Sequence, residues 1–155
     1  MKKYISALLC AVLLLLAACG SGGTQKMAVY RCVSPYYRTD GELLCAETVD
    51  MGLGVGPISS LISAFNSAPT VKHAVSPLPS GGLVTGYGLY GGTLELKVTG
   101  CGQLSPAELA LLHCCAALTF CQLENVSAVS LSSDGEELAP PLRVSDILLA
   151  DTAGK

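Results

Sequence analysis

The run from Gly91 to Leu149 limits the fold of this chain more than any other part of it. It holds a Gly-Gly turn, an alternating strand (Thr93-Leu94-Glu95-Leu96-Lys97-Val98), a helix announced at Leu104-Ser105-Pro106-Ala107-Glu108, and a second strand at Val126-Ser127-Ala128-Val129-Ser130-Leu131. Ser105 stands where an N-cap stands, and Pro106 fits the first helical position, which needs no amide donor. Glu108, three residues on, completes a capping box, with Leu104 and Leu109 at the staple positions. Through Leu111, Leu112, Cys114, Cys115, Leu118 and Phe120 the helix is apolar around most of its circumference, so it must be covered on more than one side. It falls short of the roughly 20 apolar residues that a membrane span needs, and it carries His113 and Thr119.

Ahead of the helix, Leu83 to Val98 reads as a β-hairpin turning at Gly91-Gly92. Counting from the turn pairs Leu89 with Leu94, Tyr87 with Leu96 and Thr85 with Val98 on a core face. Tyr90 with Thr93, Gly88 with Glu95 and Gly86 with Lys97 fall on an open one. On that open face Gly86 and Gly88 carry no bulk, so it is either a solvated sheet face or a surface that a second domain approaches closely. After Leu131, Asp134-Gly135 turns the chain back toward Glu137-Leu138, and Pro140-Pro141 are expected to end the sheet.

The chain's 155 residues suit one compact domain. Its hydrophobic content of 50% against 14% charged is explained by the start: Met1-Lys2-Lys3 is a basic n-region, Ile5 to Leu16 an apolar h-region, and Ala17-Ala18 precede Cys19, the pattern of an export signal. Leu16-Ala17-Ala18-Cys19 resembles a bacterial lipobox, which implies cleavage before Cys19 and a diacylglyceryl group on its sulfur. A plain secretory signal with an incidental cysteine is the alternative. Loss of Lys2 and Lys3 leaves seven basic against twelve acidic residues, a formal charge of −5. No basic cluster is present to neutralise phosphates, which argues against nucleic acid. Gly20 to Lys26 is a flexible tether.

Met27 to Val33 and Glu42 to Val49 read as strands, joined through Ser34-Pro35, Tyr36-Tyr37-Arg38 and the turn signal Asp40-Gly41. Tyr36 and Tyr37 are candidates for partner contact, tyrosine being favoured at interfaces, or they fold back onto their own sheet. Gly52, Gly54 and Gly56 lead into a helix at Pro57, with Leu61, Ile62 and Phe65 on its apolar face. Their spacing is neither G-x-G-x-x-G nor a P-loop, so no nucleotide site is expected. Residues 68–82 read as loop, interrupted by Pro69, Pro77 and Pro79.

Six cysteines remain beyond Cys19: Cys32, Cys45, Cys101, Cys114, Cys115 and Cys121. Three readings stay open: reduced core thiols, at least one disulfide with Cys32–Cys45 foremost, and a metal site of His113 with Cys114, Cys115 and Cys121, which lacks paired C-x-x-C spacing. Adjacent Cys114 and Cys115 point about 100° apart and cannot bridge each other. No nucleophile and base can be placed by spacing, since His73 and His113 stand alone and neither H-E-x-x-H nor G-x-S-x-G occurs. The expectation is a protein without catalytic residues, metal or cofactor.

From about Tyr30 to Leu149 the chain resembles a GerM domain, the module of bacterial sporulation and germination lipoproteins. The residues that carry the likeness are Ser76-Pro77-Leu78-Pro79-Ser80-Gly81 after the first helix, Leu94 to Val98, Glu108 to Leu112 running into Ala117 to Phe120, Val126 and Val129, Asp134-Gly135-Glu136, and Leu142 to Leu148. The resemblance implies an α+β fold, a small mixed or antiparallel sheet with two helices packed on one face, similar to ring-building motifs. Taken with the lipobox-like start, it divides the chain into a signal peptide at 1–18, a lipidated tether at 19–27, the GerM-like domain at 28–150 and a tail at 151–155. It also implies a non-enzymatic assembly or scaffold role on the outer side of the cell membrane, by self-association or with envelope proteins. The alternative is a lipoprotein that captures a peptide, glycan or wall fragment. Gly86, Gly88, Glu95, Lys97, Tyr36 and Tyr37 are the candidate partner-binding residues, and Cys19 the lipidation site.

Overall fold

A computed structural model of the chain describes residues 25–37, 42–52 and 55–147. Cys19 with its signal segment, the Asp40-Gly41 turn, Gly54 and the tail lie outside them. Strand β1 (Lys26–Val33) is followed by a 3-10 turn at Pro35–Tyr37, then β2 (Leu44–Asp50), helix α1 (Pro57–Asn66), the two-residue β3 (Ala74–Val75), β4 (Val84–Tyr90) and β5 (Thr93–Val98). Helix α2 (Pro106–Phe120), β6 (Ala128–Ser133) and β7 (Glu136–Leu142) complete the order, with a 3-10 turn at Val144–Asp146.

The architecture is α+β, and the strands divide into two sheets, β2-β1-β3 and β4-β5-β6-β7, more than the single sheet that the resemblance implied. The division has a local cause at the edge of β1. β3 covers that edge only at Cys32 and Val33; further along, side chains from the end of α2 replace a strand. The Tyr30 amide donates to Thr119 Oγ1 at 2.9 Å, the Ala28 amide donates to Gln122 Oε1 at 3.1 Å, and Gln122 Nε2 donates back to the Ala28 carbonyl at 2.7 Å. The edge is thereby satisfied without a further strand.

Helix α2 begins as the sequence requires. Ser105 Oγ accepts from the Glu108 amide at 3.3 Å, and Glu108 Oε2 accepts from the Ser105 amide at 2.8 Å, closing the box. From Leu112 to Phe120 all residues but Cys114 are buried. This follows from the helix meeting β1 of one sheet and β6 and β7 of the other. Leu94, Leu96 and Val98 of β5, Val129 and Leu131 of β6, and Leu112, Cys115, Ala116 and Phe120 of α2 belong to one core cluster. β5 and β6 run parallel with α2 as their crossover, Leu94 beside Val129 and Leu96 beside Leu131. Phe65 of α1 meets Phe120 of α2 with ring centroids 5.7 Å apart at 57°, a tilted arrangement that aromatic pairs prefer.

Pro140 and Pro141 do not end the sheet; β7 runs through them to Leu142. β7 is an edge strand, and its pairing with β6 shifts register between Val129 and Leu131, so the two prolines sit where no ladder donor is required. The short β3 was hidden inside what reads as a proline-rich loop.

Candidate assembly surface

The hairpin β4–β5 turns through Gly91 and Gly92 with φ of 56° and 83°, a left-handed pair that glycine adopts freely and that suits a two-residue turn. Four residues of the open face are brought together as expected, Gly86 opposite Lys97 and Gly88 opposite Glu95. Near the hairpin's base a bulge intervenes: Val84, not Thr85, pairs with Val98, and Thr85 Oγ1 donates to the Lys97 carbonyl at 3.3 Å.

The open face is not bare. A Cβ placed on Gly88 would lie 2.6 Å from the Tyr90 ring, which therefore lies across that glycine, whereas one on Gly86 would meet only Lys97 Cδ, at 3.7 Å. Beside it, Ser132 Oγ donates to Glu95 Oε1 at 2.7 Å, so this part of the face is polar. Tyr37 is 50% exposed but follows β1 in the other sheet, apart from the hairpin residues; Tyr36 shares its 3-10 turn, and its side chain lies outside the description.

The residues that sequence reasoning misplaced are on the edge strand itself. Tyr87 and Leu89 pair with Leu96 and Leu94, yet Leu94 and Leu96 are fully buried while Tyr87 and Leu89 stay 44% and 39% exposed. Leu83, just before β4, and Tyr90, on the opposite face from Tyr87 and Leu89, are also exposed, so apolar side chains flank the β4 edge on both faces. Leu89 further lines a cleft of about 360 Å³ together with Pro57, Ile58, Leu123 and Val126. The only sequence signal for this edge is the run Tyr87-Gly88-Leu89-Tyr90, apolar on both sides of an edge strand.

Two interior groups that could suggest chemistry are occupied structurally. Arg31 Nε donates to Glu47 Oε2 at 3.2 Å, and its Nη1 and Nη2 donate to the Phe65 and Ala64 carbonyls at 2.7 and 2.8 Å. The guanidinium thus caps the C-terminus of α1, where a cation is favoured. Glu47 Oε1 accepts from both the amide and the hydroxyl of Thr70. Burial works against the Glu47 charge, but the Thr70 hydrogen bonds and Arg31 outweigh it and hold the carboxyl below its ordinary range. His113 Nε2 donates to the Val129 carbonyl at 2.8 Å. Burial lowers its pKa against the opposing pull of that bond.

The thiols are similarly placed by the fold. Arg31 pairs with Cys45 and Cys32 with Leu44, so Cys32 and Cys45 leave opposite faces of the sheet, which excludes the pairing that stood foremost among the disulfide readings. All six are thiols here. Among the described residues no group of three or more His, Cys, Asp or Glu is arranged to hold a metal.

Over 77% of its length the chain superposes on the first GerMN domain of the sporulation protein GerM from Bacillus subtilis, with a TM-score of 0.57, 15% identity and 94% of that structure covered. The chain has the GerMN fold. The tandem GerMN domains of the same protein match at a TM-score of 0.58 and 16% identity over 77% of this chain and 45% of theirs, so the chain spans less than half of that tandem. A putative lipoprotein from Clostridium perfringens matches at a TM-score of 0.47 and 14% identity, over 80% of this chain and 90% of that one. No protein-family model and no curated protein matches the sequence. Among the described residues no strand pairs with β4 on the side away from β5, and Tyr87, Leu89 and Tyr90 are exposed along that edge.

Proposed function

We propose that this chain is a membrane-anchored lipoprotein on the extracytoplasmic side, whose GerMN-fold domain acts as a non-enzymatic assembly module of the bacterial cell or spore envelope in sporulation or germination. The observation that carries this reading is the likeness to the GerMN domain of the sporulation protein GerM over 77% of the chain. The anchor is the diacylglyceryl group on Cys19, with Gly20 to Lys26 as spacer. Two acyl chains give stable attachment at about 0.8 kcal/mol per buried methylene, where one gives only marginal binding. A non-enzymatic role agrees with the engagement of His113, Arg31 and Glu47 in structural bonds.

The contact surface in this reading is the β4 edge with Leu83, Tyr87, Leu89 and Tyr90, and its occupant is a second copy of the domain. GerM of Bacillus subtilis carries two GerMN domains in tandem; here the counterpart comes from another chain. Apolar side chains flanking an uncovered edge are suited to such pairing. Membrane fractionation tests the anchor: the wild-type chain is expected in the membrane pool, and Cys19→Ala in the soluble pool or unprocessed. A fully processed, membrane-bound Cys19→Ala protein would remove the lipid anchor from the account.

A further inference from the structure

The edge of β1 lies against α2 in a fixed step. Ala28 is bonded to Gln122 and Tyr30 to Thr119, so two residues of strand correspond to about one helical turn. One further step brings Cys32 to Ala116 and its neighbour Cys115, the residue that Cys32 meets. The same placement is visible from the other side, where Cys32 lines a cleft with Glu108 and Leu111, which share one helix face with Cys115 by the i, i+3, i+7 rule. Both cysteines are buried, at 7% and 0% exposure.

We infer that Cys32 and Cys115 form a disulfide that ties β1 to α2. Cys115 is hydrogen-bonded to the Cys32 thiol, and this bond together with burial raises its pKa far above the thiol range. Such a thiol does not react once the domain is closed, so the bridge forms during folding. With glutathione disulfide as oxidant, the first thiolate displaces one glutathione thiol to give a mixed disulfide. The second thiolate then displaces the other, leaving one protein disulfide and two reduced glutathiones. Cys45 is excluded by its place on the far face of the sheet. Cys114 is turned about 100° away on the helix.

In the cell this rests on the proposed export, because disulfides persist in oxidising compartments. The test does not: the full chain is reduced, unfolded and refolded in a glutathione redox buffer, then alkylated, digested and mapped without reductant. The expected result is a cross-linked peptide pair containing Cys32 and Cys115, with a gain of about 2 Da on reduction. The link should persist in Cys114→Ser and disappear in Cys115→Ser. Recovery of alkylated Cys32 and Cys115 from the correctly refolded wild-type chain, or of Cys32 joined to any other cysteine, would overturn the inference. Since the buffer supplies the oxidant, that failure is separate from failure of the envelope reading, which fractionation reports.

Discussion

Arg31 and Glu47 show what a single interior residue does in this fold. Together they bind β1, β2, the end of α1 and Thr70 through charge-assisted hydrogen bonds. Arg31→Leu leaves the Glu47 carboxylate buried without its cation and should cost about 3–5 kcal/mol in urea denaturation, whereas Arg31→Met combined with Glu47→Leu should recover much of the loss. A double variant no more stable than the worse single one would show that the cluster works differently. His113 gives a pH dependence of defined sign. Its folded pKa is lowered, so below about 6.5 the unfolded chain takes up the proton first and stability falls. Melting at pH 7.5 and 5.5 should show this loss in the wild type and a smaller one in His113→Gln, which can still donate to Val129. Glu47 contributes at lower pH, its stabilisation complete above 4.5 and lost as pH falls through its depressed folded value. None of these roles was legible in the sequence, because an arginine and a glutamate on alternating strands look like solvent-facing residues until the burial of both is known.

At the level of elements, the sequence was most informative where a local rule decides the outcome. Ser105, Pro106 and Glu108 fixed the start of α2, and Gly91-Gly92 set most of the hairpin register. The register failed at Thr85, where the bulge depends on Leu83 and Thr99 closing the base of the hairpin through mutual hydrogen bonds. Pro140 and Pro141 misled because their effect depends on whether β7 is central or at an edge, which is a property of the whole sheet. The division into two sheets depends on carboxamides that end helices. Gln122 bonds both backbone groups of Ala28, and Asn66 bonds both backbone groups of Val84 at 2.9 Å. The Ala28 bonds are exposed and water can replace them, whereas Val84 is 3% exposed. Asn66→Leu should therefore cost about 1–3 kcal/mol and Gln122→Leu about 1 kcal/mol or less. Equal losses in denaturant titrations would mean that solvent access does not separate the two sites.

For the molecule as a whole, the fold class followed from pattern and resemblance, but the candidate surface did not follow from pattern alone. The hairpin alternation placed Tyr87 and Leu89 in the core; the helices cover β4 at Val84, which is 3% exposed, but leave Tyr87 and Leu89 at 44% and 39% exposure. Likewise Gly88 was read as bare backbone, while Tyr90 lies across it. In the proposed function a membrane-anchored GerMN-fold domain assembles with a second copy through β4. Photo-crosslinking in intact membranes tests it most directly, with a benzophenone side chain replacing Tyr90, which is 71% exposed, and the same group at exposed Asp146 as control. A membrane-bound adduct of two copies of this chain is expected from position 90 and none from position 146; uncrosslinked monomer at both positions would contradict the proposed assembly.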